Sequence, residues 1–364
     1  METPRSPWMQ RLRIVWAIAA KDVVDGFKNR TTLSLMLATA ITMLSAQALP
    51  LLLNLSGIWT VVVYDAGDSR VPSALRESSE VRLMEARSNQ ELLDLLVDVS
   101  GKVLAVVVPA DFEQVVTAGE QPELEGYVTW ADRASADQLA SKLEGQLQGA
   151  LAETVHVRVE GNVVHPPPEG TAQLGMVAAG MVLVLAVIGS LLVPHLMLEE
   201  RQAHTLEVLL ISPASTSEVV AGKAWAGLVY SLAGMGVVLA FNRLLVAHWG
   251  IALLATLCGS VLFIAMGLGL GSFFESPQQM GLWVAVPFIV LVLPVMALVV
   301  PWGLPEPVAT LLPWIPSVAL GRAYLLSFSG LATLTQSLPD LAIVLVWAVP
   351  FYALVVWLVR RSDR

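Results

Sequence analysis

Two histidines with two acids between them are the first side chains that suggest chemistry. His195 and His204 enclose Glu199 and Glu200, and imidazoles and carboxylates are common ligands of a catalytic zinc ion. A zinc hydrolase needs the spacing HExxH, because that spacing puts two ligands and a general base on one face of a helix. This chain lacks it, so both histidines are interpreted as loop residues. No catalytic residue, metal ligand set or cofactor site is predicted.

The second candidate is the glycine-rich sequence GLGLGS, which contains Gly267, Gly269 and Gly271. A phosphate-binding loop follows a strand and continues into Lys-Ser or Lys-Thr, whereas these glycines end an apolar stretch. Close packing of membrane helices explains them better, since small residues let two backbones approach. The sequence also has no GxxxxGK[ST] motif, so any ATP-driven activity needs a nucleotide-binding site on another chain.

The most informative stretch is polar and lies between two long apolar segments: residues 199–223, EERQAHTLEVLLISPASTSEVVAGK. In its first half, Leu206, Leu209 and Leu210 have helical spacing, which predicts an amphipathic helix. A helix that merely lies on the lipid surface is the simpler alternative. A short charged segment that is tethered to the membrane at both ends is also well placed to receive force from a soluble partner.

A break and a second helix follow within the same stretch. Pro213 stops the first helix because proline lacks the amide donor needed to continue it. Ser215 and Glu218 have the spacing of a capping box, which predicts a new helix start. That second helix is expected to run through Gly222 and Lys223 into the membrane.

Composition indicates a membrane protein before any motif is used. The chain is 55% hydrophobic and 14% charged, with a mean hydropathy of +0.68, well away from average soluble usage. A bilayer core requires about 20 apolar residues per helix. Six candidate spans are near that length: 31–57, 172–198, 223–247, 251–273, 281–302 and 339–359.

Charges within these spans are few. Arg243 is placed near the end of the third span, where its side chain can reach the interface. No Asp, Glu or Lys occupies the middle of any span, which argues against a proton relay or a cation site at the midplane. An amphipathic or hydrophobic substrate fits such a lining better.

Lysines and arginines in short flanking segments predict the orientation, because they accumulate on the cytoplasmic side. Eleven of them flank the spans: Arg5, Arg11, Arg13, Lys21, Lys28, Arg30, Arg201, Lys223, Arg360, Arg361 and Arg364. Both termini and residues 199–223 are therefore predicted to be cytoplasmic, with residues 60–170 outside the plasma (inner) membrane. A signal-peptide reading of the first span is disfavoured, because its apolar run continues past the small-residue site Ala46-Gln47-Ala48.

The long segment 60–170 has a composition and a pattern of its own. It carries 19 acidic and 8 basic residues, so nucleic acid is not an expected partner. Short β-type runs alternate with helical ones, which predicts an α/β domain. Strands are expected at 60–65, 81–86, 102–109, 124–130 and 154–160, and helices at 72–79, 89–97, 110–117 and 134–152. The single cysteine, Cys258, falls in a span, so no disulfide framework is predicted here.

Residues 199–223 closely resemble the loop after the second span of ABC-2 type transporter permeases, where it forms the coupling helix seated on the ATPase subunit. The residues that carry the resemblance are Glu199, Glu200, Arg201, Thr205, Leu206, Glu207, Leu209, Leu210, Ser212, Pro213, Gly222 and Lys223. The resemblance implies that these residues contact a separate ABC ATPase.

Other parts of the chain resemble the same family. The lead at 1–30 is similar to the elbow helix that precedes the first span. The Val-Pro-x-Asp-Phe step ending at Phe112 is similar to the extracytoplasmic domain of a subgroup that includes sodium-export and drug-export permeases. The proline-broken stretch 303–338, which contains Arg322, resembles re-entrant helices between the last two spans. Such backbone is tolerated at membrane depth only where it packs in protein or lines a cavity.

The predicted fold is a polytopic α-helical membrane protein with six transmembrane helices and an inserted extracytoplasmic α/β domain between the first two. Its parts are an elbow helix at 1–30, a first span at 31–57, the α/β domain at 58–170, and a five-helix permease domain at 171–364 with the coupling helix at 199–222 and the re-entrant segment at 303–338. The predicted function is the permease subunit of an ATP-driven ABC exporter, with a separate ATPase and a second permease subunit, identical or related, as partners. The alternative is a non-transport membrane sensor or an intramembrane enzyme with a ligand-binding extracytoplasmic domain.

Overall fold

The computed structural model describes residues 7–28, 34, 59–78, 80–99, 101–195, 198, 215–274, 277–299 and 305–362. Apart from Ser34, the predicted first span at 31–57 lies outside these residues. The described chain forms an amphipathic helix α1 (Pro7–Lys28), a sheet region that begins at Trp59, and a set of long apolar helices that begins at Ala172.

A mixed sheet forms the centre of the sheet region. Its strands are β1 (Trp59–Asp65), β2 (Val81–Ala86), β3 (Val103–Val108), β4 (Glu123–Thr129), β5 (His156–Arg158) and β6 (Val163–Val164). They lie in the order β2-β1-β3-β4-β5, and β6 also pairs with β4. β1 runs parallel to β2 and β3, whereas β4 runs antiparallel to β3 and parallel to the short β5 and β6.

Helices cover both faces of this sheet. They are α2 (Val71–Arg76), α3 (Asn89–Asp98), α4 (Phe112–Thr117) and α5 (Ala136–Leu151). Alternate residues of β1 enter different cores, since Val61 and Val63 pack with α2, α4 and α5 while Val62 packs with α3. A strand that is covered on both faces has a nearly continuous run of apolar residues in its sequence, as β1 does. Each strand and helix predicted within 60–170 is present with ends within three residues, and β6 is an additional strand.

The apolar helices follow the sheet region. They are α6 (Ala172–Val187), α7 (Thr216–Phe241), α8 (Trp249–Phe273), α9 (Pro277–Val292), α10 (Glu306–Leu311), α11 (Pro316–Phe328) and α12 (Leu334–Ser362). Within the described part of the chain, five stretches are long and apolar enough to cross a membrane: Ala172–His195, Ser217–Phe241, Trp249–Phe273, Gln279–Leu298 and Leu334–Leu358. Each of them overlaps one of the last five predicted spans. The count becomes six if the bent pair Glu306–Trp314 and Pro316–Phe328 is one span.

The proline-broken stretch before α12 contains that bent pair. The two helices meet at an angle of 75°, and Pro316 is the first residue of α11. Proline is favoured at a helix start because its missing amide has no partner there in any case. The bend is compatible with either a broken span or the predicted re-entrant segment.

The third predicted span, 223–247, needs a correction at its end. α7 begins at Thr216, where the capping box predicts a helix start, but it ends at Phe241 and does not continue to 247. Asn242 ends the helix, and its side-chain amide donates to the Val238 carbonyl at 2.9 Å. Arg243 consequently lies beyond the helix and not inside a span.

The last predicted span also begins earlier than expected. α12 starts at Leu334 instead of 339, because the Thr333 amide donates to the side chain of Gln336 at 2.8 Å and starts the helix there. The longer helix includes Asp340, which is 3% exposed and lies 3.7 Å from the guanidinium of Arg322 on α11. A buried acid near one end of this helix is therefore paired with the preceding helix.

The helix at the centre of the bundle is α8. In its most apolar stretch of 18 residues, 72% of the residues are buried, whereas the corresponding value for α12 is 22%. α6 crosses α8 where Gly189 meets Gly267, and a Cβ on Gly267 would overlap the carbonyl oxygen of Gly189. Gly189 lies in a π-helical turn, Ile188–Leu192, that continues α6. The predicted close packing of the GLGLGS glycines is confirmed at Gly267. A Cβ on Gly269 would meet only a methyl group of Val355 at 3.7 Å.

Candidate coupling site

The twelve residues assigned to the ATPase contact divide into two groups. Ten of them lie outside the described residues: Glu199, Glu200, Arg201, Thr205, Leu206, Glu207, Leu209, Leu210, Ser212 and Pro213. Gly222 and Lys223 lie near the start of α7. The structure therefore describes the end of the predicted coupling segment, and residues 216–222 of that segment belong to α7 itself.

The start of α7 has the cap that its sequence predicts. The backbone amide of Ser215 donates to the carboxylate of Glu218 at 2.7 Å, and the two residues form a capping box. This arrangement satisfies amides that have no partner within the first turn of a helix. The segment 199–214 thus joins a helix whose first turn is already fixed.

α1 packs along the first half of α7. At one end the Arg11 guanidinium lies 3.8 Å from the Glu218 carboxylate. At the other end the hydroxyl of Tyr230 donates to the Val23 carbonyl at 3.1 Å. The contacts advance in the same direction along both helices, so α1 and α7 lie side by side over several turns.

α1 has one face against α7 and another face left exposed. Ile18, Ala19 and Asp22 are buried, whereas Trp8, Leu12 and Trp16 are more than half exposed. Large exposed apolar side chains on a helix with basic residues are typical of helices that lie at a lipid interface. The packing of α1 on α7 adds a protein contact to the interfacial helix that the sequence predicts.

Gly222 allows the closest approach between the two helices. A Cβ at this position would lie 2.6 Å from the Cγ2 atom of Ile18 and 3.2 Å from the Val15 carbonyl oxygen. Both distances are shorter than ordinary van der Waals contact, so only glycine fits without separating the helices. A close approach of this kind is the usual role of small residues between membrane helices.

We expect Gly222→Ala to loosen α1 from α7 and to destabilise the protein by about 1–3 kcal/mol, the usual cost of an overpacked contact. Gly236→Ala is the matched control, because a Cβ at this position on the same helix meets no atom within 4 Å. Thermal unfolding in detergent and protease cleavage of α1 are the measurements. Equal stability of the two variants would contradict the tight contact.

Beside this contact lies a buried ion pair. The Lys223 ammonium is 3.2 Å from the Asp22 carboxylate, and the two side chains are 0% and 6% exposed. The hydroxyl of Tyr230 is also 3.0 Å from the backbone carbonyl of Asp22, so its single hydrogen is shared between the carbonyls of Asp22 and Val23. The three residues join α1 to α7 by polar contacts that exclude solvent.

The burial of this ion pair makes it important for how α1 packs on α7. An ammonium or a carboxylate buried without an opposite charge is strongly unfavourable, so each group requires the other in this position. The pair therefore selects one arrangement of α1 on α7. The Arg11–Glu218 pair is different, since the Arg11 side chain is 76% exposed and exposed pairs contribute little to stability.

The pairing of Asp22 with Lys223 is absent from the sequence prediction. Lys223 entered that prediction as a flanking cation and as a possible partner contact, and Asp22 only as part of the elbow helix. A signal did exist, because Ile18 and Asp22 lie one turn apart on one face of α1. An acid on the apolar face of one helix and a lysine early in an apolar helix are candidates for a buried ion pair.

The described histidines make separate contacts and do not form a common site. The prediction that His195 is a loop residue is wrong, because it ends the helical stretch Ala172–His195. Its ring bonds the Leu191 carbonyl at 3.1 Å, and His156 lies 3.0 Å from Glu144. His204 lies outside the described residues. The described parts of the chain contain no group of three His, Cys, Asp or Glu residues arranged to hold a metal ion. The buried polar chemistry that can be related to the coupling segment is thus the helix junction at Asp22 and Lys223.

Long apolar helices and an α/β sheet region define the chain as a multi-pass helical membrane protein. The family model described as "ABC-2 family transporter protein" matches residues 31–358. The chain belongs to this family, whose members are membrane subunits of ABC transporters. No curated protein matches the sequence.

Proposed function

We propose that this chain is the permease subunit of an ATP-driven exporter and that a separate ABC ATPase binds residues 199–223. The observation that carries the proposal is the buried junction at the end of this segment. Gly222 and Lys223 fix α7 against α1, so a displacement of the segment moves a braced pair of helices instead of one flexible end. Family membership supplies the reason to expect an ATPase partner.

The sequence supports a motor on another chain. It contains no GxxxxGK[ST] motif within its 364 residues, and that motif provides the backbone amides and the lysine that hold ATP phosphates. A change in the permease then requires the ATPase to contact its two states differently. The charged segment beside α7 is suited to such a contact.

Charge distribution supports the proposed orientation. Basic residues concentrate on α1 and at the end of α12, and the coupling segment adds Arg201 and Lys223; this bias marks the cytoplasmic side. α1 lies along the first half of α7, and the sheet region contacts residues after the other end of α7. In the proposal both termini are cytoplasmic, the sheet region is extracytoplasmic, and the membrane is the plasma (inner) membrane.

The substrate in this proposal is amphipathic or hydrophobic. The apolar helices carry few charges, and two that they do carry, Lys223 and Asp340, are paired with Asp22 and Arg322. Charges committed to helix packing do not provide a cation pathway. A second permease subunit, either a copy or a relative, completes the pathway around a symmetry axis.

The test places lysine on the predicted apolar face of the coupling segment. We expect Leu206→Lys and Leu209→Lys to insert into the membrane normally, because both changes lie outside the spans, but to lose stimulation of the ATPase. His204→Lys adds the same charge on the opposite side of the predicted helix and serves as the control. ATP hydrolysis by the reconstituted complex and co-purification of the ATPase are the measurements.

Two results would contradict this proposal. One is full ATPase stimulation in both leucine variants, which would remove the coupling role of 199–223. The other is the absence of any ATPase in extracts of the wild-type protein, together with unchanged hydrolysis when the ATPase of a neighbouring gene is added. That second result would favour a membrane sensor or an intramembrane enzyme.

A further inference from the structure

The end of α7 opposite α1 is held by a network of backbone contacts. The amides of Ala247 and His248 both donate to the Ser327 carbonyl at 2.9 Å, and the His248 ring lies 3.4 Å from the Gly330 carbonyl. The two bonds to Ser327 join the loop between α7 and α8, residues 242–248, to the last turn of α11, and the His248 contact joins it to the loop between α11 and α12, residues 329–333. The two loops form one surface at this end of the bundle.

Arg133 of the sheet region contacts the first of these loops. Its guanidinium donates to the Leu244 carbonyl at 3.1 Å and also to the carbonyl of Trp130. The guanidinium carbon lies 3.7 Å from the centre of the Trp130 ring. Arginine suits this position because its planar group carries donors at its edge and stacks on an aromatic face at the same time.

A hydrogen-bonded turn fixes the direction of Arg133. The Thr129 hydroxyl bonds the Asp132 carboxylate at 3.0 Å, and the Asp132 amide donates to the Thr129 carbonyl at the same distance. The turn directly follows β4, which pairs with three strands, β3, β5 and β6. The guanidinium is therefore held by the sheet and not by a free loop.

His165 contacts the second loop. Its ring stacks on Trp130 with the centroids 4.8 Å apart and the planes at 28°. A Cβ on Gly330 would overlap the His165 ring, so glycine is required for this contact. His165 directly precedes the proline run that leads back to α6.

We propose that Trp130, Arg133 and His165 form a positioning site that fixes the loops 242–248 and 329–333 to the sheet region, so that these three parts move as one body during transport. The proposal rests on the proposed transport function. α7 connects the junction with α1 to the loop 242–248. Its 26 residues span about 39 Å at 1.5 Å per residue. A movement imposed beside Lys223 then reaches the sheet region through Leu244 and Arg133.

The experiment compares Arg133→Gln and Arg133→Lys with Arg158→Gln in the reconstituted complex with its ATPase. Arg158 is an exposed arginine of the same sheet that pairs with Glu123 at 3.2 Å, so it controls for loss of charge. Hydrogen exchange of 242–248 and 329–333 is measured together with ATP hydrolysis. Trp130→Phe, which keeps an aromatic ring, is included in case the arginine variants fold poorly.

We expect Arg133→Gln to accelerate exchange in 242–248 by about tenfold without changing β1 or β3, and to reduce stimulated ATP hydrolysis severalfold. Arg133→Lys should restore part of both, because an ammonium can still donate to the Leu244 carbonyl. Trp130→Phe should accelerate exchange in both loops by less than Arg133→Gln does.

The outcomes separate this inference from the proposed function. Unchanged exchange in Arg133→Gln would overturn the positioning site whatever the ATPase does. Faster exchange with wild-type hydrolysis would show a structural contact only and would also overturn it. A wild-type chain that does not stimulate the ATPase would overturn the proposed function instead, while the exchange result would still report on the contact.

Discussion

Asp22→Ala is expected to lower the free energy of unfolding by about 3–5 kcal/mol, because it leaves the buried ammonium of Lys223 without the carboxylate 3.2 Å away. In the reconstituted complex the same variant should stimulate its ATPase poorly, since α1 no longer braces the start of α7. Thermal unfolding in detergent and ATP hydrolysis in lipid are the two measurements.

Asp25→Ala is the matched control, because Asp25 lies on the same helix and is exposed. A second comparison separates charge from packing: Asp22→Leu combined with Lys223→Met should recover most of the stability, as apolar replacement of a whole buried pair often does. Asp22→Ala and Asp25→Ala with the same melting temperature would show that the pair contributes nothing to the junction.

Gly267→Ala is expected to be the most damaging single-methyl change in the apolar helices. The added Cβ would overlap the Gly189 carbonyl oxygen, and a backbone atom cannot move aside as a flexible side chain does. Overpacking typically lowers stability by about 1–3 kcal/mol. For a clash with backbone where two helices cross, we expect a loss at or above the upper end of this range. We therefore expect a low yield of folded protein and a reduced melting temperature.

The same glycine-rich sequence provides the control. Gly269→Ala adds a Cβ whose nearest neighbour is a Val355 methyl group at 3.7 Å, an ordinary contact distance. This variant should match the wild type or gain slightly, because alanine favours helix more than glycine does by about 1 kcal/mol. If Gly267→Ala is as stable as Gly269→Ala, α6 and α8 do not cross at this glycine pair.

Local signals explain which parts of the fold were predictable from sequence. The strands and helices of the sheet region follow from residue alternation and turn residues, and β1 was recognisable as an apolar run beginning near Trp59. The capping box at Ser215 was predictable because both partners lie within four residues of each other. Span ends were less certain, since Pro339 obscured the earlier start that Thr333 provides for α12.

Contacts between distant residues explain what was missed. Asp22 and Lys223 are 201 residues apart, and Arg133 and Leu244 are 111 apart. Neither pair has a local pattern, because their proximity depends on how whole helices pack. In contrast, ordered residue identities in 199–223 identified a family resemblance without any tertiary information, and the family match supports it.

The separation between Asp22 and Lys223 has a consequence for how the protein is made. α1 leaves the ribosome some 200 residues before its partner helix, and synthesis proceeds at about 5–20 residues per second. For at least ten seconds α1 therefore exists before the helix that carries Lys223 has been made. The contact between α1 and α7 therefore forms late in biogenesis, after α7 has been synthesised.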